Sequence, residues 1–542
     1  MPAHIDALGA LGALGVIDLV LRQADVHDGS GDPPRRTDVA IAAGRIAAIG
    51  DDLAAPETAQ TLDLSGRVLA PGFIDLHTHS DVSLLSEPGC ISAIEQGVTT
   101  QAVGLCGFSA GPLSSASGAR MVEEEPIFAF PGVAWDWTTI GGYREAVERC
   151  RPATNVVTFV GHNTLRRTVL GTVDRPPTPA ELTTMQHAID EAIDQGARGF
   201  TTGLSYAPGL FATVEELAAL AKVAARRGLP YHTHMRYGPG GVVASVAEAL
   251  DTAERAGVEL NISHLYPGAD QRAEAADALL AMLDDARRRG IEVTFDLTVF
   301  TRGGGAWVQS LPGWARDGGM AATVAAISDP TSRARLIEAL SGPNAEHWMA
   351  DWDDQVICKV NRPEHAELAG RSIGEVARER GRPPIETALD LVVEDGQFWV
   401  APTIKSQDHL DRMIASPLCV PIGDGFAHHP VRHRAYGLMP KSFGTFPLVL
   451  GSYVRDRGVL PLTSAIHKMT SEPARRLGLA DRGLIRAGYV ADLVVFDPTT
   501  VAARATTADP AARPAGIERV MVGGVWVVID GAATGDRPGA VL

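Results

Sequence analysis

Cysteine is scarce, with 5 residues (Cys90, Cys106, Cys150, Cys358 and Cys419) in a chain of 542. An odd number at irregular spacing in a long chain does not read as a disulfide framework, which points to a reducing compartment, the cytoplasm. Long apolar runs are also missing. The opening stretch, 1–20, is apolar, but its "ALGALGALG" is broken by glycine and has no Lys or Arg ahead of it. It falls short of the ~18–20 residues a membrane helix needs and reads as a frayed extension before the first strand. Clustered positive charge is lacking too: the net charge of −17 comes from acids spread along the chain, which argues against nucleic acid and membrane as partners. There is no internal repeat, and the 16 histidines form no short tract of the kind that stores metal.

What is present describes a folded, turn-rich protein: 45% hydrophobic and 21% charged residues, with 57 glycines and 35 prolines. The length suits two to four domains, or one barrel with additions, and leaves a homo-oligomer open. Short alternating strands with Gly, Asp and Pro at their ends occur in "VIDLVLRQADVHDGSG" and "TDVAIAAGRIAAIGDDL" and return only in "ADLVVFDP" and "GIERVMVGGVWVVIDGAA". The two chain ends, 1–70 and 480–542, are therefore expected to pair into one small β-sandwich. Between them, over 71–479, apolar runs alternate with segments of helical period. The runs are "GFIDLHTH", "VTTQAVGLCG", "NVVTFVGHN", "GARGFTTGLS", "LPYHTHM", "VELNISHL", "IEVTFDLTVF" and "LCVPIGDG". Eight buried strands with interposed helices predict an α/β fold, a (β/α)8 barrel of the TIM type. The gap at about 302–400 exceeds one barrel connection and predicts a helical insertion near the mouth.

Each run ends in a polar or metal-ligating type of residue, where a barrel carries its chemistry. His77 and His79 are two apart at a strand end and so face one spot. Imidazole suits Zn²⁺, although a lone HxH is equally a pair of polar strand-end residues. Cys106, flanked by Gly, is a strong ligand as a thiolate and otherwise a small core side chain. His234 and His264 end the fifth and sixth runs; His232 shares a face with His234 and reads as a core or supporting residue. Asp424 closes the eighth run, where a carboxylate can touch a metal and exchange protons with water, or simply occupy a turn before Gly. Their joint occurrence at one end of five strands favours a metal site over the separate bland readings.

The segments "PGFIDLHTHSD", "GLCGFSAGP", "GHNTLR", "TTGLSYAP", "YHTHMR", "IGDG", "FGTFPLVL" and "KMTSEPARRLGLADRGLIRAGYVADLVVFDP" together resemble the D-aminoacylase (N-acyl-D-amino-acid deacylase) branch of the amidohydrolase superfamily, over about 17–540. The resemblance implies one or two zinc ions per chain. It places His77, His79, Cys106, His234, His264 and Asp424 in the metal and catalytic set, with Cys106 bridging and Cys106, His234 and His264 holding the tighter zinc. It implies hydrolysis of a small N-acylated substrate by activated water, with Asp424 as proton carrier, and puts Tyr206 and His162 at positions facing the site.

The chain departs from that family at the substrate's carboxylate. Tyr266 stands where members carry Lys, Phe300 where they carry Tyr, and Lys441 where they carry Arg, and a Lys is no bidentate equivalent. Either Arg236, or Arg432 and Arg434, grip the carboxylate differently, or Tyr266 and Phe300 wall a site for another substrate. A cyclic amide, lactone, carbamate or dipeptide-like compound is the alternative.

Overall fold

The computed structural model describes residues 16–114, 121–122, 125–237, 241–268, 271–341, 351–434 and 437–542. The extension expected over 1–20 therefore lies largely outside the described residues. All eight apolar runs form strands: β1 (Phe73–Asp75), β2 (Val98–Val103), β3 (Asn155–Thr158), β4 (Phe200–Gly203), β5 (Tyr231–His234), β6 (Leu260–Ile262), β7 (Val293–Thr298) and β8 (Cys419–Ile422). Every residue in them is buried, as expected for parallel strands covered on both faces.

Pairing is parallel throughout. β1, β2 and β3 form one sheet, and β4 to β8 a second. The chain just after β3, Val160–Gly161, pairs with β4 and so joins the two. Between β8 and β1, the Asp424 N–H donates to the His77 carbonyl (2.9 Å) and the His79 N–H to the Gly425 carbonyl (2.7 Å). These two bonds close the (β/α)8 barrel with metal-ligating residue types on both sides of the seam. The outer helices follow local signals. Pro179–Asp194 starts at a capping box between Thr178 and Glu181 with Pro at its first turn, and it buries Met185, Ile189, Ala192 and Ile193 along one stripe.

The two chain ends share a nine-stranded sheet. Its central junction sets Leu493–Phe496 antiparallel to Val68–Pro71. Period two then divides the side chains: Leu493, Val495 and Met521 meet Leu19, Leu21, Val39 and Ile41 in one core, while Val494, Phe496, Val520 and Val522 join the barrel's core. The sheet thus folds over its own interior as a sandwich while remaining one hydrogen-bonded path.

Between β7 and the helix Gln407–Ala415 lies the insertion. It contains helices Met320–Ser328, Pro330–Ser341, Ile373–Arg380 and Pro384–Asp395. It also contains a three-stranded antiparallel sheet of Gly305–Ala306, Trp399–Val400 and Ile357–Lys359. Strands of two or three residues are too short to show alternation, so the sequence pattern reads this segment as helical alone. Its core side chains, Trp307 and Phe398 among them, pack in one cluster with Cys106, Phe108 and Phe426, which sets the insertion over the barrel mouth. Among the described residues no helix is long and apolar enough to cross a membrane.

Candidate metal centre

Strand ends bring six candidate side chains to one place. Cys106 Sγ lies 3.2 Å from His77 Nε2, 3.6 Å from His234 Nδ1 and 3.5 Å from His264 Nε2. His234 Nδ1 and His264 Nε2 are 3.0 Å apart. On the other side, Asp424 Oδ1 lies 3.2 Å from His79 Nε2 and 3.6 Å from His77 Nε2. Two overlapping groups, His77–Cys106–His264 and His77–His79–Asp424, keep their donor atoms within 4.8 Å of one another. His77 belongs to both, its Nε2 lying between Cys106 Sγ and Asp424 Oδ1.

The donor set fits zinc. Bond lengths of ~2.0–2.1 Å to nitrogen and ~2.3 Å to sulfur at a tetrahedral centre require edges of about 3.3 Å between nitrogens and about 3.6 Å between nitrogen and sulfur. The triangle of Cys106, His234 and His264 has edges of 3.0, 3.5 and 3.6 Å. Backbone geometry makes this convergence possible. Cys106, His264 and Asp424 all adopt left-handed φ, at 52°, 36° and 46°, a conformation costing of order 1–3 kcal/mol each that clusters at functional sites. Glycines clear the way for Cys106: a Cβ at Gly104 would sit 2.3 Å from the Phe159 carbonyl oxygen, and one at Gly107 2.6 Å from the Gly203 nitrogen.

A buried acid that the strand pattern does not single out orients the ligands. Asp296 on β7 is fully buried. It lies 3.3 Å from His77 Nδ1 and accepts from Asn261 Nδ2 (2.7 Å) and from the His264 N–H. A carboxylate only accepts, so His77 keeps a proton on Nδ1, and Nε2 is the nitrogen that faces Cys106 and Asp424 and would give up its proton to a metal. The surrounding field ionises the donors. Burial pushes the Cys106 thiol up, but the His77 charge and the His234 and His264 contacts outweigh it and hold the thiol well below its usual range. Burial likewise opposes ionised Asp424, and Lys441, whose Nζ donates to Oδ2 at 2.6 Å, together with His79 and His77, overrides it. His232, by contrast, is driven by burial down to about 3 and packs as a neutral ring 4.9 Å from Phe159.

The expected substrate contacts separate into two groups. Tyr206 stands with its ring 4.7 Å from His234 and 4.8 Å from Phe108, beside a cleft that Gln309 and Arg316 also line. Tyr266 lies under the ammonium of Lys405, 4.8 Å from its ring centroid. Lys441 is on Asp424. Arg236 is occupied by Glu248 (3.1 Å) and by the carbonyls of Leu210 and Ala212, and Arg432 by Glu87; Arg434 is exposed. His162 is buried against Glu216 at 2.9 Å, a carboxylate it shares with Arg166. Phe300 is half-buried against the barrel core. Lys405, which has no motif around it, is the unexpected polar group of the mouth.

Comparison with known proteins agrees with this geometry. The family model described as "Amidohydrolase family" matches residues 60–528. The chain is 34% identical to N-acyl-D-glutamate deacylase of Alcaligenes xylosoxydans xylosoxydans, over 97% of this chain and 96% of that protein. It is 33% identical to D-aminoacylase of the same organism, over 97% of each. The crystal structure of N-acyl-D-glutamate deacylase from Bordetella bronchiseptica, complexed with zinc and a phosphonate inhibitor that mimics the tetrahedral intermediate, superposes with a TM-score of 0.81 at 32% identity, covering 97% of this chain and all (100%) of that one.

Proposed function

The chain belongs to the amidohydrolase family, and from that premise we propose that it is a zinc-dependent deacylase releasing a D-amino acid from its N-acyl derivative. The observation that carries this reading is the triangle of Cys106, His234 and His264 at zinc-ligand spacing, with the Asp424 carboxylate against the adjoining His77 and His79. The class of substrate rests on the relatives, whose names specify N-acyl-D-glutamate and D-amino acids.

In this reading Cys106, His234 and His264 would hold one zinc ion, and His77 and His79, beside Cys106 and Asp424, would hold a second. Bound zinc supplies Lewis acidity, polarising the scissile carbonyl and lowering the pKa of water from ~15.7 toward ~7. Asp424 accepts the proton of the attacking water at a carboxylate oxygen and returns it to the amide nitrogen, which leaves only once protonated. Lys441 on Oδ2 and His79 beside Oδ1 hold that carboxylate ionised and in place between turnovers. Asp296 fixes the His77 tautomer, and Tyr206 walls the substrate side of His234. All five cysteines are free, which supports a cytoplasmic location.

The test is a panel of N-acetyl-D- and N-acetyl-L-amino acids, dipeptides, cyclic imides and lactones, assayed on zinc-loaded protein for kcat/KM. N-acetyl-D-amino acids should be hydrolysed, with their L-enantiomers far poorer. Turnover confined to cyclic imides or lactones would refute the assignment.

A further inference from the structure

Lys405 is buried, 2% exposed, and a buried ammonium is costly unless something answers its charge. Of its three donors, one reaches Thr298 Oγ1 at 2.5 Å, and the head lies over the face of Tyr266. Among the described residues no carboxylate comes within 4.0 Å of it: the ion pairs of the mouth are Lys441 with Asp424, Arg236 with Glu248 and Arg432 with Glu87. The position is built. Lys405 N and Ile404 N both donate to the Thr301 carbonyl at 3.1 Å, fixing the segment to the chain just beyond β7. Thr298 ends β7, and Tyr266 follows the ligand His264 by two residues. Burial, and after it the charge of Lys441, bring the Lys405 pKa down to about 7, opposed by the Asp424 carboxylate.

We infer that Lys405 is the anchor for the substrate's α-carboxylate, its ammonium presented by Thr298 and the Tyr266 ring. The inference rests on the deacylase reading above. It accounts for Tyr266 in the place where the resembling family carries a lysine: the cation enters from the segment before the eighth strand instead, and the aromatic face below becomes its support. A hydroxyl and a π-face both stabilise an ammonium without neutralising it, and an incoming carboxylate supplies the opposite charge that keeps the group protonated against its burial. Because the ammonium is already desolvated and held, a carboxylate meeting it forms a charge-assisted hydrogen bond at little ordering cost.

The experiment compares each N-acetyl-D-amino acid with its uncharged carboxamide on zinc-loaded wild type, Lys405→Met and Lys405→Arg. Wild type should prefer the free acid by roughly 10- to 100-fold in kcat/KM, the range expected of a hydrogen bond between charged groups. Lys405→Met should lose that preference, chiefly through KM, and Lys405→Arg should keep part of it. Met is a neutral chain of similar length, and removing an unanswered buried charge should leave Tm equal or higher. An unchanged acid preference in Lys405→Met would overturn the assignment while leaving the deacylase reading intact, and its loss in Arg316→Met alone would move the anchor to the cleft beside Tyr206. Wild type that cleaves neither acid nor carboxamide would remove both readings together.

Discussion

Replacing Asp296 by Asn keeps the shape of the β7 side chain and removes one acceptor. Asp296 accepts from His264 N–H on one oxygen, and its other oxygen faces His77 Nδ1 at 3.3 Å and Asn261 Nδ2 at 2.7 Å. An asparagine satisfying the His264 N–H must turn its own NH₂ toward those two donors. His77 can escape the clash only by moving its proton to Nε2, the nitrogen that faces Cys106 and Asp424. Loss of such an orienting partner typically costs 10- to 100-fold in metal affinity or activity, about 1.4 to 2.7 kcal/mol. Zinc affinity measured by competition with a chromophoric chelator should therefore fall by ~10- to 100-fold, with kcat/KM falling in parallel and the far-ultraviolet circular dichroism unchanged. Wild-type zinc affinity and turnover in Asp296→Asn would refute the argument that this carboxylate sets the His77 tautomer.

Three further outcomes follow from the same geometry. Asp424→Asn should lower kcat by at least ~10², the usual contribution of a general acid–base group, while most of the zinc is retained. Near-normal turnover would assign the proton to another group. Cys106, as a ligand thiolate, should resist alkylation in the zinc form and react once zinc is chelated; equal labelling rates in both forms would return it to the role of a core cysteine. Tyr266→Lys should lower kcat/KM for N-acetyl-D-amino acids, because it sets a second ammonium beneath Lys405, yet should restore acid preference in the Lys405→Met background. Improvement by the single substitution would mean that the Lys405 charge does not reach the substrate.

The barrel and the metal candidates are legible in the sequence for one shared reason. A parallel strand buried on both faces carries few charged or titratable groups, so a His, Cys or Asp at its end stands out, and β1, β2, β5, β6 and β8 each supply one or two. Pairing of the chain ends is legible because alternation stops at residue 71 and resumes only after 479. The rest depends on tertiary neighbours. Asp296 sits between Phe295 and Leu297 in the middle of an apolar run, away from the strand end where ligands are sought; only the fold shows it beneath two ligands. Lys405 lies in "PTIKSQ", a surface-like polar stretch that the insertion happens to bury. Arg236 and His162 sit near the right strand ends, yet the Arg236 guanidinium is engaged by Glu248 and the His162 Nε2 by Glu216, acids contributed by neighbouring helices that local spacing does not reveal.

The most direct test of the account is to count the metal and the product together: zinc by elemental analysis, and free D-amino acid released from N-acetyl-D-amino acids, for protein as isolated, after chelation and after zinc is returned. The account predicts one to two zinc ions per chain, loss of turnover on chelation, recovery on readdition, and no recovery in His234→Ala or His264→Ala. Protein that holds no metal and hydrolyses these substrates in the presence of chelator would contradict it.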